Sequence, residues 1–231
     1  MPRANSEGER PKARPAKAAA GASATKGSAV ARPARRTPRE RYDERQGEVI
    51  DIAARVFAER GFYATSIDDL VDATGLKRGG LYHYMDGKKD LLIRIHQRFI
   101  DPLLEDAQDI ARRGEPAEET LRLLARALMH DIATYRDQVT VFLNEWRIIE
   151  HDPAWASIRH SRKAFEEIVT AVIQRGCEEG SFKVKDVQIA VLGFLGMVNY
   201  SYQWYRPGGR DKPEDIADQF CAIFLDGIRS R

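Results

Sequence analysis

The sequence predicts an all-α protein with an N-terminal helix-turn-helix, on three observations. Apolar residues recur at i, i+3, i+4, i+7 and i+8, as Val49, Ile52, Ala53, Val56 and Phe57 do, which puts them on one face of a helix. Alternation of the strand kind is absent over any useful length, so no sheet is expected. Glycine and proline fall between the periodic segments, at Gly61, Gly75, Gly87, Pro116, Pro153 and Gly180, where they stop and start helices. With 43% apolar residues and ten prolines in 231 residues, the chain can bury a core of globular size.

Residues 1–40 stand apart as a basic tail. Their first 38 residues are mostly Ala, Pro, Arg, Lys, Gly and Ser with no aromatic side chain. Such a segment buries too little apolar area to offset its ordering entropy, so disorder is expected. Residues 1–41 carry 11 Lys and Arg against Glu7, Glu9 and Glu40, leaving 26 basic and 32 acidic side chains in the rest. The net charge of +2 therefore hides a basic tail on an acidic body. The tail either adds non-specific attraction to phosphates or is a solvated leader.

Helical periodicity starts near Arg41 and ends at Gly61, a position suited to a left-handed C-terminal cap. The second helix opens at Ala64–Asp68, where Thr65 is expected to cap the amide of Asp68 and the carboxylate to reach back in a capping box. Ile67, Leu70 and Val71 face inward, and Gly75 ends it. A third helix is expected over Leu76–Met85, with Leu81 and Met85 buried and Lys77, Arg78, Gly79, Tyr82 and His83 on the opposite face. Each of Gly79 and Gly80 costs about 1 kcal/mol relative to alanine in a helix. Either the backbone approaches a partner closely here or this turn is weak. After Asp86-Gly87, Lys88 opens a long helix (88–107) through Leu91, Leu92, Ile95, Phe99 and Leu103, which Pro102 is expected to kink.

Residues 45–100 resemble the DNA-binding domain of TetR-type transcriptional repressors. The shared pattern runs through Ala54, Phe57, Gly61, Thr65, Ile67, Leu70, Ala73, Gly75, Leu81-Tyr82-His83-Tyr84, Lys88 and Asp90-Leu91-Leu92. Two positions depart from it: Lys77 stands where a serine cap is common, and Met85 replaces a usual phenylalanine. The resemblance implies a DNA-binding domain over residues 41–87, a helical effector-binding and dimerisation domain over 88–231, and a homodimer on a palindromic operator in duplex DNA. For DNA contact it points to Thr65, Ser66, Lys77, Arg78, Gly79, Tyr82, His83 and Lys88. The chemistry agrees: arginine binds guanine O6 and N7 in a bidentate way, while hydroxyls, ammonium groups and helix N-terminal amides suit phosphate.

Further helices are expected at 117–134, 137–150, 154–179, 185–205 and 212–229. This region resembles the ligand-sensing and dimerisation domain of the same family. The WYRPGG run at 204–209 is similar to the branch that responds to acyl-CoA thioesters. A drug-type hydrophobic effector, or control without a small molecule, are the alternatives. Polar groups on an apolar stripe cost free energy unless partnered. Glu145, Asn199 and Gln203 are therefore expected to line a pocket with Phe142, Trp146 and Tyr202. The other reading pairs Glu145 with an arginine and leaves the aromatic rings in the core. Ile189, Val191, Leu192, Phe194, Leu195 and Val198, then Ile216, Phe220, Ile223, Phe224 and Ile228, give the last two helices broad apolar faces. By resemblance these pair with symmetry mates in a four-helix interface.

Other classes fit poorly. Cys177 and Cys221 show no metal-ligand or disulfide spacing, and no cofactor motif is present. No run approaches the roughly 18 apolar residues of a membrane span, so a cytoplasmic protein without a membrane partner is expected. Glu145, His130, His151 and His160 offer acid-base groups, but none sits in a nucleophile elbow, P-loop, HExxH or Rossmann pattern. Catalysis is not expected.

Overall fold

The computed structural model describes residues 37–150 and 153–228, without the side chains of residues 148 and 149. The expected disorder of residues 1–36, and His151, lie outside the described residues. Helices run α1 (Pro38–Arg60), α2 (Ile67–Thr74), α3 (Arg78–Leu81), α4 (Lys88–Arg112), α5 (Ala117–Thr134), α6 (Arg136–Asn144), α7 (Trp146–Ile149), α8 (Ala156–Glu178), α9 (Val187–Asn199) and α10 (Pro213–Ile228). Single 3-10 turns occupy Pro153–Trp155 and Tyr200–Gln203. No strand occurs among the described residues.

Several boundaries differ from expectation, each for a local reason. α1 begins inside the segment expected to be tail, because Thr37 and Glu40 form a capping box. Thr37 Oγ1 accepts the Glu40 amide at 3.2 Å and the Glu40 carboxylate accepts the Thr37 amide at 2.7 Å, with Pro38 at the first helical position. α2 is capped one residue later than expected, by Ser66 with Asp69. α3 is a single turn; beyond Leu81 the amides of His83 and Tyr84 bond three residues back, to Gly80 at 3.3 Å and Leu81 at 2.9 Å. α4 runs on to Arg112 with Pro102 inside it. The helix expected over 137–150 breaks at Glu145, and that over 185–205 tightens after Asn199.

α4 is the spine. Leu91, Leu92, Ile95, Phe99, Ile100, Leu103, Ala107 and Ile110 are all buried along it, and it packs on α1, α5, α6 and α8. Each of these side chains larger than Ala107 contributes roughly 1.5–3 kcal/mol on burial. One helix thus belongs to the core beneath α2 and α3 and to the core of the helices that follow.

His96 lies on this spine, fully buried between the rings of Phe142 (5.3 Å) and Trp155 (5.6 Å). Its Nδ1 donates to the Leu92 carbonyl at 2.6 Å, and Nε2 has no partner among the described residues. Burial pushes its pKa down from 6.5 to about 4, against the smaller pull of the Leu92 carbonyl. The unfolded chain therefore takes up a proton below pH 6.5 that the folded chain refuses, and this stability is lost as pH falls from 6.5 toward 4. Buried Asp131, its carboxyl pushed up to about 6 by burial, acts in the opposite sense: the fold favours its acid form, a contribution lost as pH rises through 6. A His96→Asn variant isolates the first effect. Its stability deficit at pH 7 should narrow by roughly 2 kcal/mol at pH 4.5 in urea titrations. A deficit independent of pH would mean that His96 is not held neutral.

Candidate nucleic-acid interface and effector cavity

α2, the Gly75 turn and α3 form the helix-turn-helix. Gly75 adopts φ 66°, ψ 11° and its amide closes on Val71 O, a left-handed corner that favours glycine. Leu70, Leu81 and Met85 are buried beneath. Thr74 is buried too, with its hydroxyl donating to Leu70 O at 2.7 Å. Lys77, Arg78, Gly79, Tyr82 and His83 project outward together. Lys77 is exposed with no partner among the described residues. Arg78 donates to Asp68 of α2 at 2.6 Å, an exposed ion pair, of a kind that contributes little and is readily exchanged. A Cβ on Gly79 would meet nothing within 4 Å, so internal packing does not require glycine there. Tyr42 of α1 buttresses the turn after α3: its hydroxyl donates to His83 O at 3.0 Å and its ring lies 5.3 Å from the His83 ring.

A cavity of about 210 Å³ opens among α4, α5, α6, α8 and α9. Its apolar wall is Phe99, Ile100, Leu103, Leu128, Phe142, Leu143, Phe165, Leu192 and Leu195; Arg162, Glu166 and Asn199 supply the polar groups. Beside it lies a groove of about 200 Å³ lined by Trp146, Arg159, Arg162, Lys163 and Glu166. Arg162 and Glu166 belong to both. The Arg162 guanidinium stacks 3.7 Å over the Trp146 ring and lies 5.7 Å from that of Phe142, and its burial lowers its pKa.

Residues 49–95 match the family described as bacterial regulatory proteins, tetR family, and residues 114–228 match that described as tetracyclin repressor-like, C-terminal domain. The chain is 31% identical over 187 residues to the HTH-type transcriptional repressor KstR2 of Rhodococcus jostii, covering 80% of this chain and 92% of that one. This chain belongs to the TetR family. The structure of the ketosteroid transcriptional regulator KstR2 of Mycobacterium tuberculosis matches it with a TM-score of 0.77 at 30% identity, over 81% of this chain and 96% of that one. The structure of AibR in complex with isovaleryl coenzyme A and operator DNA matches with 0.69 at 25% identity, over 78% and 97%. The TetR-type resemblance of residues 45–100 and the all-α class are thus established, and the protein is a DNA-binding transcriptional regulator, not an enzyme. Among the described residues no helix is long and apolar enough to cross a membrane.

Within this TetR-family frame, several expected side-chain roles need correction. Thr65 is buried and its hydroxyl donates to Gly61 O at 2.8 Å, so it closes the loop after α1 and is not presented to a phosphate. The hydroxyl of exposed Ser66 caps α2. The Lys88 ammonium donates to the carbonyls of Phe62 at 2.7 Å and Thr65 at 2.8 Å, with Tyr63 O at 3.5 Å, and sits 4.5 Å over the Phe62 ring. It pins the α1–α2 loop from within. Of the expected ligand residues, Phe142 and Asn199 line the cavity, whereas Trp146 lines the groove. Glu145 Oε1 accepts the Phe62 amide at 2.8 Å. Tyr202 donates to Asn144 Oδ1 at 2.8 Å and itself accepts from Gln203. These last three line neither space.

Sequence reasoning passed over Arg162, whose position on α8 carries no motif, and Tyr63, 76% exposed in the loop before Ser66.

Proposed function

We propose that this regulator is a homodimeric repressor that binds a palindromic operator and is released by an acyl-coenzyme A thioester. The observation that carries the effector class is the junction at Arg162 between an apolar cavity and a basic groove. At about 210 Å³ the cavity falls below the roughly 300–1,000 Å³ that drug-sized ligands fill. It suits the acyl part of a thioester and leaves the phosphates to Arg159, Arg162 and Lys163. The relative AibR, solved with isovaleryl coenzyme A and operator DNA, supports the same class.

Residues 41–87 serve as the reading head and residues 88–231 as the sensing and dimerising body. Lys77 and Arg78 enter the major groove, Gly79 lets backbone approach, and Tyr82 and His83 reach flanking phosphate or a thymine methyl. Ser66 and the α2 amides meet the phosphate backbone. Ile189 and Leu192 on α9 and Ile223 on α10, exposed at 67%, 57% and 66%, form the two-fold interface. The effector acts by preferring a conformer whose heads are off operator spacing; equal affinity for both conformers would shift nothing.

Gel-shift titration against DNA upstream of its own gene, with and without a panel of acyl-CoA thioesters, tests this reading. Wild type should bind and one thioester should abolish binding. Arg78→Ala should bind about tenfold or more weakly if Arg78 reads guanine. Indifference to the whole panel would remove the thioester effector, and no binding at low salt would remove the operator site.

A further inference from the structure

Glu145 is where α6 gives way to α7, and no glycine or proline accounts for the break. Its carboxylate instead reaches the loop between α1 and α2, where Oε1 accepts the Phe62 amide at 2.8 Å. The same loop is also held by Lys88, which donates to Phe62 O and Thr65 O. This loop ends at Ser66, the cap of α2, so its position sets where the helix-turn-helix begins. On the other side of Glu145, Phe142 and Leu143 line the apolar cavity. Phe142 is three residues before Glu145, on the same helical face. The far end of α6 is anchored to α1 through Gln138 Nε2, which donates to Asp51 Oδ1 at 2.9 Å.

We infer that Glu145 is a positioning residue that couples the cavity to the DNA-reading head through the Phe62 amide, and does not contact the effector. The trigger rests on the effector site proposed above; the positioning role does not. An occupant pressing on Phe142 and Leu143 moves the Asn144 end of α6, since its other end is tied to α1. A donor–acceptor separation beyond about 3.5 Å ends the hydrogen bond, and the loop before α2 then loses its anchor to Glu145 and keeps only Lys88 and the bond within the loop from Thr65 to Gly61 O.

The test uses the full chain with Glu145→Ala, Glu145→Asp and Glu145→Gln. Three readouts are taken: amide exchange of residues 61–66, affinity for DNA upstream of the gene, and isovaleryl-coenzyme A binding by tryptophan fluorescence. In the alanine variant and in the aspartate variant, one methylene too short, loop exchange should quicken and operator affinity fall by about tenfold, the worth of one charge-assisted hydrogen bond. Glutamine keeps an acceptor and should stay within about threefold of wild type. Thioester binding should be unchanged in all three, and the thioester should quicken loop exchange in wild type. Unchanged loop exchange and operator affinity in the aspartate variant would overturn the inference, as would loss of thioester binding in either the alanine or the aspartate variant. If no thioester binds wild type but the loop and operator effects appear, the positioning role stands and the effector reading falls.

Discussion

Glutamate at both Ile189 and Ile223 should leave a folded monomer that binds the operator at least about a hundredfold more weakly than wild type. Both side chains are exposed, at 67% and 66%, whereas the same helices bury Val191, Phe194 and Val198, and Ile216, Ala217, Cys221 and Leu225, against the rest of the chain. The fold rests on the second set and should survive loss of the first. In the proposed two-fold interface a carboxylate on each helix would face its symmetry mate, and an unpaired charge buried there is strongly unfavourable. Operator binding suffers because two linked heads make the second half-site contact intramolecular, an advantage of about 10²–10⁴. Sedimentation velocity reads the assembly, and anisotropy titrations on full and half operators read the coupling. A dimer of unaltered affinity would remove α9 and α10 from the interface.

What the sequence made legible were features set by neighbours along the chain. α5 was expected over 117–134 and runs Ala117–Thr134, because an unbroken apolar stripe starts just after Pro116. Gly75 ends α2 as expected and adopts the left-handed conformation, whereas Gly61, expected to be the left-handed cap of α1, sits at φ 83°, ψ 153°, outside the left-handed helical region. What stayed illegible depends on distant partners. Thr65 and Ser66 both satisfy the capping rule; burial of Thr65 against Gly61 O selects Ser66. Lys88 belongs to a motif read as DNA-contacting, yet carbonyls 23 to 26 residues earlier claim its ammonium. Glu145 needed a partner, as a polar group on an apolar stripe does, and that partner is an amide 83 residues away. Neither the pocket nor the arginine reading named it.

Gly176→Ala should cost about 3 kcal/mol of stability, although the same change in an open helical position would gain about 1 kcal/mol from propensity. The reversal comes from Phe182. A Cβ on Gly176 would lie 2.2 Å from Cδ2, 2.4 Å from Cε2 and 2.8 Å from Cγ of that ring, inside any permitted contact. The ring is a poor candidate for retreat: it is 4% exposed, its own amide donates to Gly176 O at 2.9 Å, and the next amide is bound by Ile228 O at 2.6 Å. Phe182→Ala alone should cost about 3–5 kcal/mol from lost burial. Combined with Gly176→Ala it should cost clearly less than the sum, since the clash requires both side chains. Urea unfolding of the four proteins in this cycle measures the coupling, and strict additivity would show that the ring moves aside freely. The consequence reaches function, because the Phe182 turn sets how α9 leaves α8. α9 carries Leu192 and Leu195 into the cavity wall and Ile189 to the surface. A misplaced turn should therefore weaken dimerisation and effector response together while sparing α1 to α3.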